Sequence, residues 1–372
     1  MISYSRQFID KSDIEAVASA LKSKWLTQGP KVLEFEKGLA KYCGAKYAVA
    51  VCNGTVALHL AYLTVGLKDG DEVITTPNTF VATTNMLLAV GARPIFCDIR
   101  LDSYNLDEKK IKKLINPKTK AIIPVDFAGQ PCNLREIKKI AKKKRLIVIE
   151  DACHALGGKY QGKRIGSLVD MTIFSFHPVK TITTGEGGAI LTNNKKYYKK
   201  LILMRNHGVY KNKQGKNVMN EFGYNYRLTD IQAALGISQT KKIDRFVKKR
   251  RQIAVWYKKE LTGINEIILP VELPENYSSW HLYVIRVKKA GDRDKLAKYL
   301  TKKEIGVNFH YPTVYSHPYY QKIGYKNLRL ANMDEYQKTC LTLPCHPQLS
   351  RTQIKYIANL IKKFFKQKNG NS

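Results

Sequence analysis

Lys180 sits in FSFHPVKTITTGEGGAILTN, between a proline and a run of threonines, whereas most other lysines of the chain fall in charged clusters. A lysine amine forms a Schiff base with an aldehyde when it is positioned and deprotonated. Glu150 and Asp151 follow an apolar run in RLIVIEDACHALG. A carboxylate there could hold a positive nitrogen, bind a metal or cap the next helix. His154, three residues on, could share a helical face with Asp151. In VAVCNGTVALHL, Asn53, Gly54 and Thr55 fill a strand-to-helix turn whose amides could cradle a phosphate or form an ordinary cap.

Pyridoxal 5'-phosphate requires these groups together: a lysine, an acid for its ring nitrogen, a phosphate site and a flat side chain against the ring. Lys180, Asp151, Gly54 with Thr55 and Ser175, and Phe80 in TTPNTFVAT supply them in one chain. Two other patterns carry less. GGKYQGKR matches a nucleotide-binding loop until Arg164 stands where a hydroxyl would have to meet magnesium, and it reads better as a hairpin turning at YQGK. Asp151 and His154 are too few for a metal site, and Cys340, Cys345 and His346 are a weak alternative cluster.

The elements that must position these residues alternate. KVLEFEKGLAKYCG, VATTNMLLAVGA and LREIKKIAKKK have helical periodicity; YAVAV, DEVITTP, RPIFCDI, AIIPVDF and RLIVIED are strand-like. The first helix, KSDIEAVASALKSKWL, has Ser12 as its expected cap. Alternation of this kind predicts an α/β fold with a mostly parallel sheet covered on both faces. Beyond residue 190 long helical segments give way to a strand in WHLYVIRV, a helix, a strand in VNFHYP and a last helix. The expected division is a large α/β domain over 1–248 and a small C-terminal α+β domain over 249–372.

Composition narrows the function classes. With 372 residues, 44% apolar and 25% charged, the chain reads as an ordinary globular protein with a substantial core. No apolar run approaches a membrane span, and MISYSRQFIDKSD lacks a hydrophobic leader, so a cytoplasmic protein without membrane partners is expected. Seven scattered cysteines read as reduced thiols and imply no metal. The net charge of +34 invites nucleic acid, but its lysines fall on solvated helix faces with no recognition motif, so no specific nucleic-acid partner is expected.

WLTQGPKVLEFE, NGTVALHLA, DEVITTPNTFVATTN, IEDACHALGG, FSFHPVKTITTGEGGA and GYNYRLTDIQAALG occur in that order. With these motifs, residues 3 to 365 resemble the DegT-type sugar aminotransferases, a branch of the fold-type I pyridoxal-phosphate enzymes. The resemblance implies that Lys180 holds the coenzyme and moves protons, that Asp151 pairs with its ring nitrogen, and that His154 lies close to the ring. It implies Phe80 on the ring face and Gly54, Thr55 and Ser175 on the phosphate. It further implies that Asn225 of a neighbouring subunit completes the phosphate site and that the protein is a homodimer with shared active sites. NGT stands where close relatives often have NSA or SGT.

Thr27, His310, Tyr311 and Tyr315 are the implied substrate contacts. SFHPVK with NYRLTDIQAALGISQ is most similar to the branch acting in pseudaminic acid biosynthesis. That branch implies a UDP-linked 4-keto-6-deoxy N-acetylated hexose as acceptor and L-glutamate as donor. Other UDP- or dTDP-4-keto sugars are the alternative. Relatives that dehydrate sugars replace the lysine with histidine, and a regulatory protein on the same fold would have lost the lysine, acid or phosphate groups.

Overall fold

The computed structural model describes residues 1–370. A seven-stranded sheet is formed by β1 (Tyr47–Val51), β2 (Glu72–Thr75), β3 (Arg93–Phe96), β4 (Thr119–Ile123), β5 (Ile147–Asp151), β6 (Met171–Ser175) and β7 (Gly188–Thr192). Their spatial order is β1-β7-β6-β5-β4-β2-β3. Strand β7 alone runs against its neighbours, and the other contacts are parallel. Ser175 pairs with Gly188, and the twelve residues 176–187, at the lower limit for a helical crossover, double back through turns instead.

Side-chain alternation sends neighbouring strand residues to opposite faces. Ala48 and Ala50 meet α2 (Pro30–Cys43), α5 (Leu134–Lys144) and the start of α8 (Ile243–Leu261). Val49 and Val51 meet α3 (Gly54–Thr64), α4 (Ala82–Ala89) and α6 (Lys195–Arg205) on the other face. Each such buried aliphatic side chain contributes about 1.5–3 kcal/mol. Against the second face of α2 lies α7 (Asp230–Thr240), which also packs on α1 (Lys11–Leu21).

The C-terminal part has an antiparallel sheet of β8 (Ile267–Ile268), β9 (Tyr283–Val287) and β10 (Cys340–Leu343). Helices α9 (Gly291–Lys302), α10 (Ala331–Thr339) and α11 (Arg351–Gly370) accompany it. The long helix α8 runs through the expected boundary at residues 248 and 249. Its Ile243, Phe246 and Val247 belong to the large core, while Ile253, Ala254, Tyr257 and Leu261 belong to the second core.

Two local expectations change. The cap of α1 is Asp10 rather than Ser12: its carboxylate accepts from Ser12 N, and Asp13 answers by accepting from Asp10 N. A charged cap with a reciprocal acid suits the positive end of the helix better than a lone serine. VNFHYP forms one bridge, Asn308 to Thr342, instead of a strand. Pro312 has no N–H with which to extend a ladder, and the segment turns to wall a cavity. GGKYQGKR is the expected hairpin: Tyr160 pairs with Lys163, and Gln161 and Gly162 both take positive φ at its turn.

Candidate active site

The carboxyl ends of β1, β5 and β6 open into a cavity of about 610 Å³. In sheets of this kind ligands bind beyond those ends. The facing wall comes from the C-terminal part, through His281 and Asn308 to Tyr311. Gly54, Thr55, Phe80, Asp151, His154, Ser175, Lys180, His310 and Tyr311 all line this one cavity.

Lys180 leaves β6 through a tight turn. Lys180 N donates to His177 O at 2.9 Å, with Pro178 in the position whose fixed φ suits such a turn. Ser5 Oγ donates to Val179 O at 3.2 Å and pins the turn to the N-terminal segment. Burial pushes the Lys180 amine below its ordinary value. Among the described residues no hydrogen bond or ion pair occupies Nζ. A larger share of neutral, uncommitted amine is what a nucleophile needs.

Asp151 ends β5. Its Oδ2 accepts from Thr83 Oγ1 at 2.7 Å and its Oδ1 from Cys153 N at 3.2 Å. Nearby, His154 Nε2 lies 3.1 Å from the Tyr311 hydroxyl, and its ring centre is 4.4 Å from that of His281. Burial, then the charge of Lys180, holds His154 well below the ordinary imidazole range, so the ring is neutral. His154 Nδ1 is buried without a partner among the described residues.

The first turn of α3 meets the end of β6 closely. A Cβ on Gly54 would fall 2.9 Å from Ser175 Cβ. Asn53 caps the helix by accepting from Val56 N at 3.0 Å, and the Gly54 and Thr55 amides have no intrahelical acceptor. The result is a notch of free amides beside a serine hydroxyl. Phe80, 60% exposed, stands at the cavity rim with its ring 6.4 Å from that of Tyr311.

These features suit pyridoxal phosphate part by part: the notch is shaped for a phosphate, Asp151 for a pyridinium, and Lys180 for an aldehyde. The orphan His154 nitrogen suits a polar ring substituent. On the substrate side, His310 Nδ1 is 2.8 Å from Thr342 Oγ1, and burial pushes its pKa down to about 3. Tyr315 is a correction. It is buried against Phe96, its hydroxyl donates to Asp334 Oδ1 at 2.6 Å, and it does not reach the cavity. Thr27 is exposed and bridges Thr229, and Asn225 is exposed and bridges Asn206; neither lines the cavity of its own chain.

His281, Tyr4 and Thr83 also line the cavity and carried no expectation. A single histidine opening the strand of WHLYVIRV gives little signal. Thr79 and Thr83, four apart after a strand end, gave one that periodicity does not score.

Residues 7–362 match the model of the DegT/DnrJ/EryC1/StrS aminotransferase family. The chain belongs to this family. Among its DegT relatives, the UDP-4-amino-4,6-dideoxy-N-acetyl-beta-L-altrosamine transaminase of Campylobacter jejuni is 43% identical over 97% of this chain and 96% of its own. The solved structure of Helicobacter pylori PseC, an aminotransferase involved in the biosynthesis of pseudoaminic acid, superposes with a TM-score of 0.95. It is 36% identical and covers 98% of this chain and 99% of its own. The PLP-form of Spr1654 from Streptococcus pneumoniae gives a TM-score of 0.93 at 30% identity, covering 98% of this chain and 99% of its own. The DegT family is thus shared along nearly the whole chain, and the fold is that of the fold-type I aminotransferases.

Proposed function

We propose that this chain is a pyridoxal-phosphate-dependent nucleotide-sugar 4-aminotransferase. It moves an amino group from L-glutamate to C4 of a UDP-linked 4-keto-6-deoxy N-acetylated hexose. The product is UDP-4-amino-4,6-dideoxy-N-acetyl-β-L-altrosamine, as the Campylobacter relative's name and the role of PseC suggest. The observation that carries the reading is the meeting of an uncommitted Lys180 amine, the Asp151 carboxylate and the Gly54 notch in one cavity.

Bound pyridoxal phosphate supplies an electron sink for the carbon that carries the nitrogen. Gly54, Thr55 and Ser175 would hold its phosphate, with Asn225 of the partner subunit completing that site in a homodimer. Asp151 would pair with its ring nitrogen, His154 would meet the ring edge, and Phe80 would cover a ring face. In the first half-reaction Lys180 Nζ would take the proton from the α-carbon of glutamate, whose nitrogen would stay with the coenzyme while water supplies the keto oxygen of the departing 2-oxoglutarate. In the second half-reaction Lys180 Nζ would deliver a proton to C4 of the sugar, which keeps the nitrogen while its keto oxygen leaves as water. His310 and Tyr311 face the sugar, and the neutral His154 ring keeps positive charge from accumulating beside the amine. Holding these groups in fixed register supplies the orientation that makes proton transfer fast.

No helix among the described residues is long and apolar enough to cross a membrane. The reaction is assigned to the cytoplasm, where nucleotide sugars are the substrates at hand. Incubation with glutamate and a panel of UDP- and dTDP-4-keto sugars, with product stereochemistry read by NMR, tests the assignment. Turnover confined to dTDP sugars would overturn the substrate while leaving the chemistry in place.

A further inference from the structure

Behind Asp151 stands a chain of hydroxyls that the reaction scheme does not use. Thr83 Oγ1 donates to Asp151 Oδ2 at 2.7 Å, and Thr79 Oγ1 lies 2.8 Å from Thr83 Oγ1. A threonine hydroxyl has one proton, and that of Thr83 is committed to the carboxylate. The hydrogen between the two hydroxyls therefore belongs to Thr79, and the chain runs from Thr79 through Thr83 to Asp151. All three residues are buried, at 3%, 1% and 5% exposure.

The geometry is built in by the backbone. Thr79 lies in the bend just before α4 (Ala82–Ala89) and Thr83 in the first turn of that helix. Tyr62 Oη donates to Thr83 O at 2.9 Å and ties the same turn to α3, the helix that carries the phosphate notch. With Cys153 N on its other oxygen, the carboxylate is gripped from both sides.

We propose that Thr83, backed by Thr79, is a positioning residue for Asp151: its hydroxyl fixes the rotation of the carboxylate so that the free lone pairs face the cavity in one orientation. The inference rests on Asp151 being the partner of the coenzyme's ring nitrogen. Without the hydroxyl the carboxylate turns more freely and must be ordered when the coenzyme binds. The loss of one hydrogen bond to a charged group corresponds to a roughly tenfold or greater fall in affinity.

The test uses the full chain as wild type, Thr83→Val, Thr83→Ser and Thr79→Val. Coenzyme affinity is read by titration, and the visible band of the bound coenzyme is followed across about pH 5 to 9. Valine keeps the volume of threonine and removes the hydroxyl that donates to Asp151 and accepts from Thr79. Thr83→Val is expected to weaken coenzyme binding about tenfold and to shift the pH midpoint of the band. Thr83→Ser restores both, and Thr79→Val moves both in the same direction by less. Wild-type affinity and midpoint in Thr83→Val overturn the inference, as does a Thr83→Ser protein as impaired as the valine variant. Should Thr83→Val fail to fold, an unchanged Thr79→Val decides against it. A wild-type chain that takes up no coenzyme sinks the functional reading together with this one, whereas binding by wild type with no effect of the variants sinks this one alone.

Discussion

Gly54 stands so close to Ser175 that a Cβ on it would lie 2.9 Å from the serine Cβ and 3.2 Å from its Oγ. The opening turn of one helix and the end of one strand share a notch that a methyl group fills. Gly54→Ala should leave the helix intact, since alanine favours a helix over glycine by about 1 kcal/mol. Coenzyme affinity should nevertheless fall by about tenfold or more. Titration with pyridoxal phosphate checks this, and wild-type affinity in the variant would remove the phosphate from the notch.

Lys180→Ala should abolish turnover and the visible band of the bound coenzyme, because no other amine among the described residues lines the cavity. An active, yellow Lys180→Ala protein would end the assignment of the nucleophile.

Tyr311→Phe removes the group that meets His154 Nε2 and nothing of comparable bulk. A buried hydrogen bond contributes about 0.5–1.5 kcal/mol, so kcat/KM should drop by about two- to twelvefold. Steady-state kinetics with glutamate and the keto sugar give the number. An unchanged value would mean that His154 holds its place by packing alone.

Burial pushes the His310 pKa down to about 3. Its unfolded value is about 6.5. Between those limits the unfolded chain binds a proton at this site and the folded chain does not, so stability falls as pH falls. His310→Gln should therefore lose less stability than wild type on acidification through that window, as measured by urea melts at several pH values. Equal slopes for the two proteins would refute the neutral ring.

Glu150 has the opposite sign. Burial is the largest influence and pushes it up to about 7, with Asp126, Thr172, Lys138 and Asp151 facing it. Its carboxyl takes up a proton in the folded chain at pH values where the unfolded chain, at about 4.3, has lost it. Stability from this group is complete below the unfolded value and declines as pH rises to about 7. The difference in stability between wild type and Glu150→Gln should shrink in wild type's disfavour over that range. A constant difference would show the carboxyl to be ionised throughout.

The cavity proposed to hold the coenzyme was legible because its lining groups sit at strand ends in a fixed order. Gly54, Asp151, Ser175 and Lys180 each follow a strand-like run, and an alternating sheet brings such ends together. The hairpin at Gln161 and Gly162 was legible from its turn residues. Other features depend on contacts far apart in sequence. Thr83 gains its meaning from Asp151, and His281 from a wall contributed by the C-terminal part. Tyr315 shares a segment with His310 and Tyr311, but Phe96 and Asp334 claim it, and neither is visible from the local pattern. The direction of β7 was not legible, because the span between Ser175 and Gly188 is at the lower limit for a crossover and strand-like composition carries no direction.

Helix α8 gives its first turn to one core and the remainder to the other. Arg250, at its middle and fully buried, donates to the carbonyls of His281 at 2.9 Å and Cys345 at 2.5 Å. The two halves of the chain are thus riveted along a common axle. Melting either core strips α8 of one of its two packed stretches, so heat should dismantle both in a single cooperative step. Any rocking of the His310 wall toward the sheet must pivot on that axle instead of swinging on a free linker.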